Sequence, residues 1–82
     1  MGIHAQEEIP IGIYRHHKGH YYEVLGLARH SETFEEFICY RSCYYSSDWG
    51  NNPIWVRPKA LFLKKVKKNG KLIPRFEFVG PK

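Results

Sequence analysis

The sequence predicts an all-β protein, a small closed or nearly closed barrel of five to six short antiparallel strands with at most one or two short helical turns. Three observations predict it. Short runs of strand formers alternate with turn signals at intervals of about eight to twelve residues. Residues 21–29 (YYEVLGLAR) hold no proline, are rich in aromatic and aliphatic side chains, and run into a turn signal at His30-Ser31, as a central strand buried on both faces would. Asn69-Gly70 lies between two apolar-patterned runs and is the preferred pair for a two-residue type I′ hairpin.

Residues 1–11 (MGIHAQEEIPI) show no period and include Pro10, which reads as an arm ahead of a single domain over residues 12–82. Residues 13–18 form a short strand, Lys18-Gly19-His20 a tight turn, and residues 21–29 the central strand. Gly26 interrupts that strand, the mark of a bulge or of a close crossing where a barrel bends. Ser31 or Thr33 could cap a helix with Glu35 or Glu36 in its first turn. Residues 37–45 (FICYRSCYY) are strand formers, however, so one helical turn is the most that fits before the next strand. Residues 46–53 read as a plain loop, residues 54–57 as a short strand stopped by Pro58, and residues 59–61 as a single turn. The Asn69-Gly70 turn sets a register in which Lys68 faces Lys71, Lys67 faces Leu72, Val66 faces Ile73, Leu63 faces Phe76 and Leu61 faces Phe78. Leu61, Leu63, Leu72, Phe76 and Phe78 then share a face assigned to the core. Pro74 puts the second hairpin strand at an edge.

A chain of 82 residues buries only roughly 60–65% of its unfolded surface, so the core is small and a deep catalytic cavity has little room. Six Tyr, five Phe and two Trp, each able to bury roughly 150–250 Å², supply that core without staples. The formal charge of +5 is uneven: residues 1–56 carry four basic and seven acidic groups, residues 57–82 nine basic and one acidic. Such a basic sector attracts phosphate or an acidic surface, or is simply solvated. No apolar run approaches the roughly 18 residues of a membrane span and no signal peptide is apparent, so the chain reads as cytoplasmic, with no membrane partner.

Cys39 and Cys43, read on one strand, stand roughly 13 Å apart, too far for the Cα separation of about 7 Å that a disulfide permits. The same distance defeats a zinc site built from them, and His16 and His17 point to opposite faces of their strand. No metal and no cofactor are expected. A nucleophilic cysteine needs an exposed thiolate beside a base, whereas these two sit among Ile38, Tyr40, Tyr44 and Tyr45. Adjacent Glu35 and Glu36 diverge, which disfavours a paired acid and base. Phosphate-binding glycine loops are absent.

What remains is a set of polar and aromatic residues inserted among strand formers: His16, Lys18, Arg29, His30, Ser31, Thr33, Tyr40, Arg41, Trp55 and Arg57. A hairpin pairing His30 with Phe37 puts Arg41 opposite Gly26, either as an anchor to Glu23 or a carbonyl, or as one wall of an anion site with His30, Ser31 and Thr33. Trp55 and Arg57 fall on one side of a strand, suited to stacking a base or gripping a peptide; Trp55 also fits a plain core position.

The spacing Gly12-x-Tyr14-x-His16-x-Lys18-Gly19, then Tyr22-x-Val24, Ala28-x-His30-Ser31-x-Thr33, Tyr40-Arg41, Trp55-Val56-Arg57-Pro58, Phe62 and Pro74-Arg75-Phe76 resembles the DUF1653 family of small bacterial proteins, over about residues 12–79. The resemblance implies an SH3-like barrel from a bacterial cytoplasm and carries no function with it. From the residues themselves the first reading is a non-enzymatic binding module for an anionic partner such as RNA or single-stranded DNA, with Lys64, Lys65, Lys67, Lys68, Lys71 and Arg75 as its nucleic-acid contacts. The second is a protein- or peptide-binding adaptor, by analogy with SH3-like barrels. The third, a small-ligand or enzyme site, requires His16, His30, Arg41 and Arg57 to converge.

Overall fold

The computed structural model describes residues 9–81. In chain order they form β1 (Gly12–His16), β2 (Tyr21–Arg29), β3 (Glu36–Ser42), β4 (Tyr45–Ser46), β5 (Gly50–Asn51), β6 (Ile54–Pro58), a one-turn helix α1 (Lys59–Phe62), β7 (Lys65–Lys68), β8 (Lys71–Pro74) and β9 (Phe76–Gly80). The chain is all-β, as the sequence predicts. Five strands lie in one antiparallel sheet in the order β6-β3-β2-β1-β9, and β4 with β5 and β7 with β8 make two-stranded ribbons. Among the described residues no ladder joins β6 to β9, so hydrogen bonding does not close the sheet into a full barrel. Of the expected arm, residues 1–8 lie outside the described residues. Ile9 packs against the core, and the Pro10 carbonyl accepts a hydrogen bond from the Tyr14 hydroxyl at 2.7 Å.

The β1–β2 turn forms where Gly19 takes φ +108°, a left-handed conformation that a side chain resists, and His16 and His20 pair across it at 2.8 Å. β2 is the middle strand, yet only Glu23 and Val24 along it are buried, and Leu27 is exposed. The bulge expected at Gly26 is present: Val24 pairs with Tyr40, and the register then shifts so that Gly26 meets Cys39. Arg41 falls opposite Glu23 rather than Gly26, the bulge moving it by one position and the closure of the β2–β3 loop by two. The loop closes one pair earlier than expected, at Arg29 and Glu36, because the Arg29 guanidinium ties the Phe34 carbonyl (2.8 Å) to the Glu36 carboxylate (3.1 Å).

Two further expectations change. In place of the plain loop expected over residues 46–53, Tyr45–Ser46 and Gly50–Asn51 pair as a small hairpin, with the Ser46 hydroxyl accepting the backbone N–H groups of Asp48 and Trp49 at its tip. The Asn69-Gly70 hairpin keeps its predicted register only from Lys68/Lys71 to Val66/Ile73, ending at Lys65/Pro74. Beyond that point α1 withdraws Leu61 from the ladder, and the chain leaves β8 at Arg75 so that β9 pairs with β1 instead. Leu61, Leu63, Leu72 and Phe78 are therefore exposed, and of the face assigned to the core only Phe76 is buried. The helical turn buries Phe62 in their place, beside Tyr14, Val24, Ile38, Tyr40 and Phe76.

The pairing of β1 with β9 needs a glycine at position 12. Its φ is +147°, and a Cβ there would stand 2.6 Å from the Gly80 carbonyl oxygen. At Gly26 a Cβ would meet nothing within 4 Å. Gly12→Ala is expected to cost about 1–3 kcal/mol in urea unfolding, and Gly26→Ala to stay within about 1 kcal/mol of the parent. Equal midpoints for the two variants would contradict this account of β1.

Candidate functional site

Period-two alternation on paired strands gathers a polar and aromatic set on the same face as the core. Along β1 that face carries Tyr14 and His16, along β2 Tyr22 and Val24, along β3 Tyr40 and Ser42, along β6 Trp55 and Arg57, and along β9 Phe76. Phe76 is the centre. Its ring stacks on Phe62 with centroids 4.3 Å apart and planes 5° from parallel, and His16, Tyr22 and Tyr40 meet it edge-on at 4.9, 5.6 and 5.7 Å. The Arg57 guanidinium carbon lies 5.8 Å from the same centroid, and Arg57 Nε donates to the Tyr40 hydroxyl at 3.3 Å.

The rim beside this cluster is also aromatic. The Tyr22 and Tyr44 hydroxyls are hydrogen-bonded at 3.1 Å, and the His20 ring stacks on Tyr44 at 4.4 Å. Burial, and next the bond to Tyr44, pushes the Tyr22 phenol above the ordinary tyrosine range. Trp55 donates its indole N–H to the hydroxyl of fully buried Ser42 at 3.0 Å, and Trp49 meets Trp55 edge-on at 6.1 Å. Trp55 is thus a partly buried wall of the core whose polar atom is satisfied.

His16 is held neutral. Burial first, then the positive field of His17, Arg75, Arg57 and Lys18, lowers its pKa from 6.5 to about 4. The Lys18 backbone N–H donates to Nδ1 at 3.2 Å, which puts the proton of the neutral ring on Nε2. The arginines divide into two kinds. Arg15 pairs with Glu77 (3.6 Å), Arg29 with Glu36 (3.1 Å) and Arg41 with Glu23 (2.9 Å). Among the described residues neither Arg57 nor Arg75 has a carboxylate, and the buried Nε of Arg75 has no hydrogen-bond partner.

The residues singled out from the sequence therefore separate. His16, Tyr40, Trp55 and Arg57 come together, with Lys18 at the edge through its N–H. Arg41 lies on the opposite face of the sheet, anchored to Glu23 through Nε (3.2 Å) and Nη2 (2.9 Å). Arg29, His30, Ser31 and Thr33 serve the β2–β3 turn: His30 Nδ1 accepts the N–H groups of Glu32 and Thr33, and Thr33 Oγ1 accepts that of Glu35. Of the four groups that a convergent site required, only His16 and Arg57 share a neighbour, the Phe76 ring. The lysine hairpin joins this cluster at its base, where His17 N–H donates to the Arg75 carbonyl (2.9 Å) and Lys68 Nζ to the His17 carbonyl (3.2 Å). Lys64, Lys65, Lys67 and Lys71 are exposed. Tyr22 and Tyr44 were not among the sequence candidates. The Tyr14-x-His16, Tyr22-x-Val24, Tyr40-x-Ser42 and Trp55-x-Arg57 alternation carried a signal for Tyr22, whereas Tyr44 lies beyond the end of β3 and carried none.

The family model described as "Protein of unknown function (DUF1653)" matches residues 12–78. The chain belongs to the DUF1653 family. A crystal structure of a DUF1653 protein from Bordetella bronchiseptica is similar over 92% of this chain and 92% of that one, with 33% identity and a TM-score of 0.80. Among proteins of curated function none matches. In this DUF1653 chain no described helix is long and apolar enough to cross a membrane, and no three His, Cys, Asp or Glu among the described residues are grouped to hold a metal ion.

A lowered His16 pKa makes the folded state bind fewer protons than the unfolded chain between pH 4 and 6.5. That contribution to stability is complete above pH 6.5 and is lost as pH falls toward 4. Melting temperatures of the parent should fall across this window more steeply than those of His16→Gln. Parallel profiles would show that His16 titrates normally.

Proposed function

We propose that this protein is a non-enzymatic binding module that takes single-stranded nucleic acid, RNA or DNA, across the face carrying Phe76. The observation that carries the reading is the pair Arg57 and Arg75, which lie beside His16 with no carboxylate among the described residues, while Arg15, Arg29 and Arg41 are all paired. Unpaired guanidinium groups beside aromatic rings suit a phosphate next to a base, and base–aromatic stacking contributes about 1–3 kcal/mol per base whatever the sequence. Trp49 and the partly buried Tyr22, Tyr44 and Trp55 offer the ring surface. The hairpin tied on through Lys68 continues the positive surface along Lys65, Lys67 and Lys71, with Lys64 at its foot. A reducing cytoplasm suits Cys39, a free thiol.

Fluorescence anisotropy with labelled oligo(dT) and oligo(U) tests the reading. Binding at low ionic strength should weaken with added salt by a slope of about −0.7 per phosphate contact, and Arg57→Ala should lower affinity about tenfold and reduce that slope. Arg15→Ala, on the opposite face, should change affinity less than about twofold. Absence of binding at low salt, or affinity indifferent to salt, removes the proposal.

A further inference from the structure

Between the β1–β9 side of the sheet, α1 and the hairpin lies a cavity of about 280 Å³. It lies just below the usual range of ligand pockets, about 300–1,000 Å³. Tyr14, Phe62, Phe76 and Phe78 provide aromatic walls, Lys65 and Arg75 are its cationic lining, and among the described residues no carboxylate lines it. The Tyr14 hydroxyl proton is already committed to the Pro10 carbonyl at 2.7 Å, so Tyr14 offers the cavity its ring. Arg75 is unusual in two independent ways. Its guanidinium has no carboxylate among the described residues, and its Nε is shielded from water without a hydrogen-bond partner. More than about nine in ten buried polar groups are satisfied, so an arginine left in this state beside a cavity marks a place where a ligand acceptor would be favoured.

We propose that this cavity binds a small carboxylate with a single-ring or similarly compact apolar body, its carboxylate on Arg75 and its body against the aromatic wall. A planar carboxylate matches the guanidinium fork and brings one charge, with Lys65 completing the positive rim. The apolar walls favour a body with no further polar groups, since any such group would be desolvated without a partner. The site shares Arg75 and Lys65 with the nucleic-acid reading, but one is tested with a ring-bearing carboxylate and the other with an oligonucleotide, so either can fail alone.

The test uses the full chain and phenylacetate, followed by NMR shifts of the Phe62 and Phe76 rings and the Leu63 methyl groups. Phenylacetate should bind saturably and about tenfold or more tightly than its uncharged isostere phenylacetamide, and acetate, which lacks the ring, should be weaker by a similar factor. Arg75→Gln should abolish the preference for acid over amide. Leu63→Trp, a ring added at a lining position with Arg75 intact, should weaken both ligands. Should Arg75→Gln fail to fold, the comparison of acid with amide on the parent still decides. Equal binding of acid and amide, no saturable shift at millimolar ligand, or undiminished binding to Leu63→Trp overturns the proposal.

Discussion

One phenyl ring organises this molecule. Most of the chain's large apolar side chains stay at least partly exposed, and among its described residues the hydrophobic core comprises six: Tyr14, Val24, Ile38, Tyr40, Phe62 and Phe76. Phe76 alone touches ring systems from β1, β2, β3 and α1. Its position explains why β9 abandons the hairpin ladder. Continuing that ladder would gain a few more pairs in a two-stranded ribbon that is marginal by itself, whereas pairing with β1 seats Phe76 against four elements and extends a sheet that has a core.

Alternation and the β9 crossover leave many apolar side chains outside this face, and polar residues occupy what the core does not fill. They are accommodated without ion pairs. Arg57 uses a tyrosine hydroxyl and an aromatic ring, Trp55 a buried serine, and His16 remains uncharged. On the opposite face the solution is different, for Arg41 and Glu23 neutralise one another directly. The two faces thus handle charge differently: Arg41 and Glu23 are closed upon each other, while among the described residues Arg57 and Arg75 have no carboxylate.

Much of the architecture is legible in the residues. The central strand, the Gly26 bulge, the helical turn after Pro58 and the Asn69-Gly70 turn each rest on a local rule that the fold obeys. What could not be read is non-local. Extending the hairpin register to Leu61/Phe78 follows from alternation alone, and only the competition between β8 and β1 for residues 76–80 decides against it. The placement of Arg41 depended on which residue closes the β2–β3 loop, which the Arg29 side chain settles through two hydrogen bonds. At the site, alternation already placed Trp55 beside Arg57. Joining them to His16 required β1 and β6 to face one another across Phe76, a consequence of sheet curvature rather than of spacing.

The ribbon of β7 and β8 has neither outer edge laddered to another strand among the described residues. Bare edges of this sort are where one protein molecule recruits another into a growing sheet. Here every rung but one carries lysine, from Lys65 to Lys71, so two ribbons approaching side by side would meet like charge along their whole length. The same ammonium groups that could welcome a polyanion also keep neighbouring copies apart, and a bound polyanion, by masking them, would expose the chain to self-association that it otherwise resists.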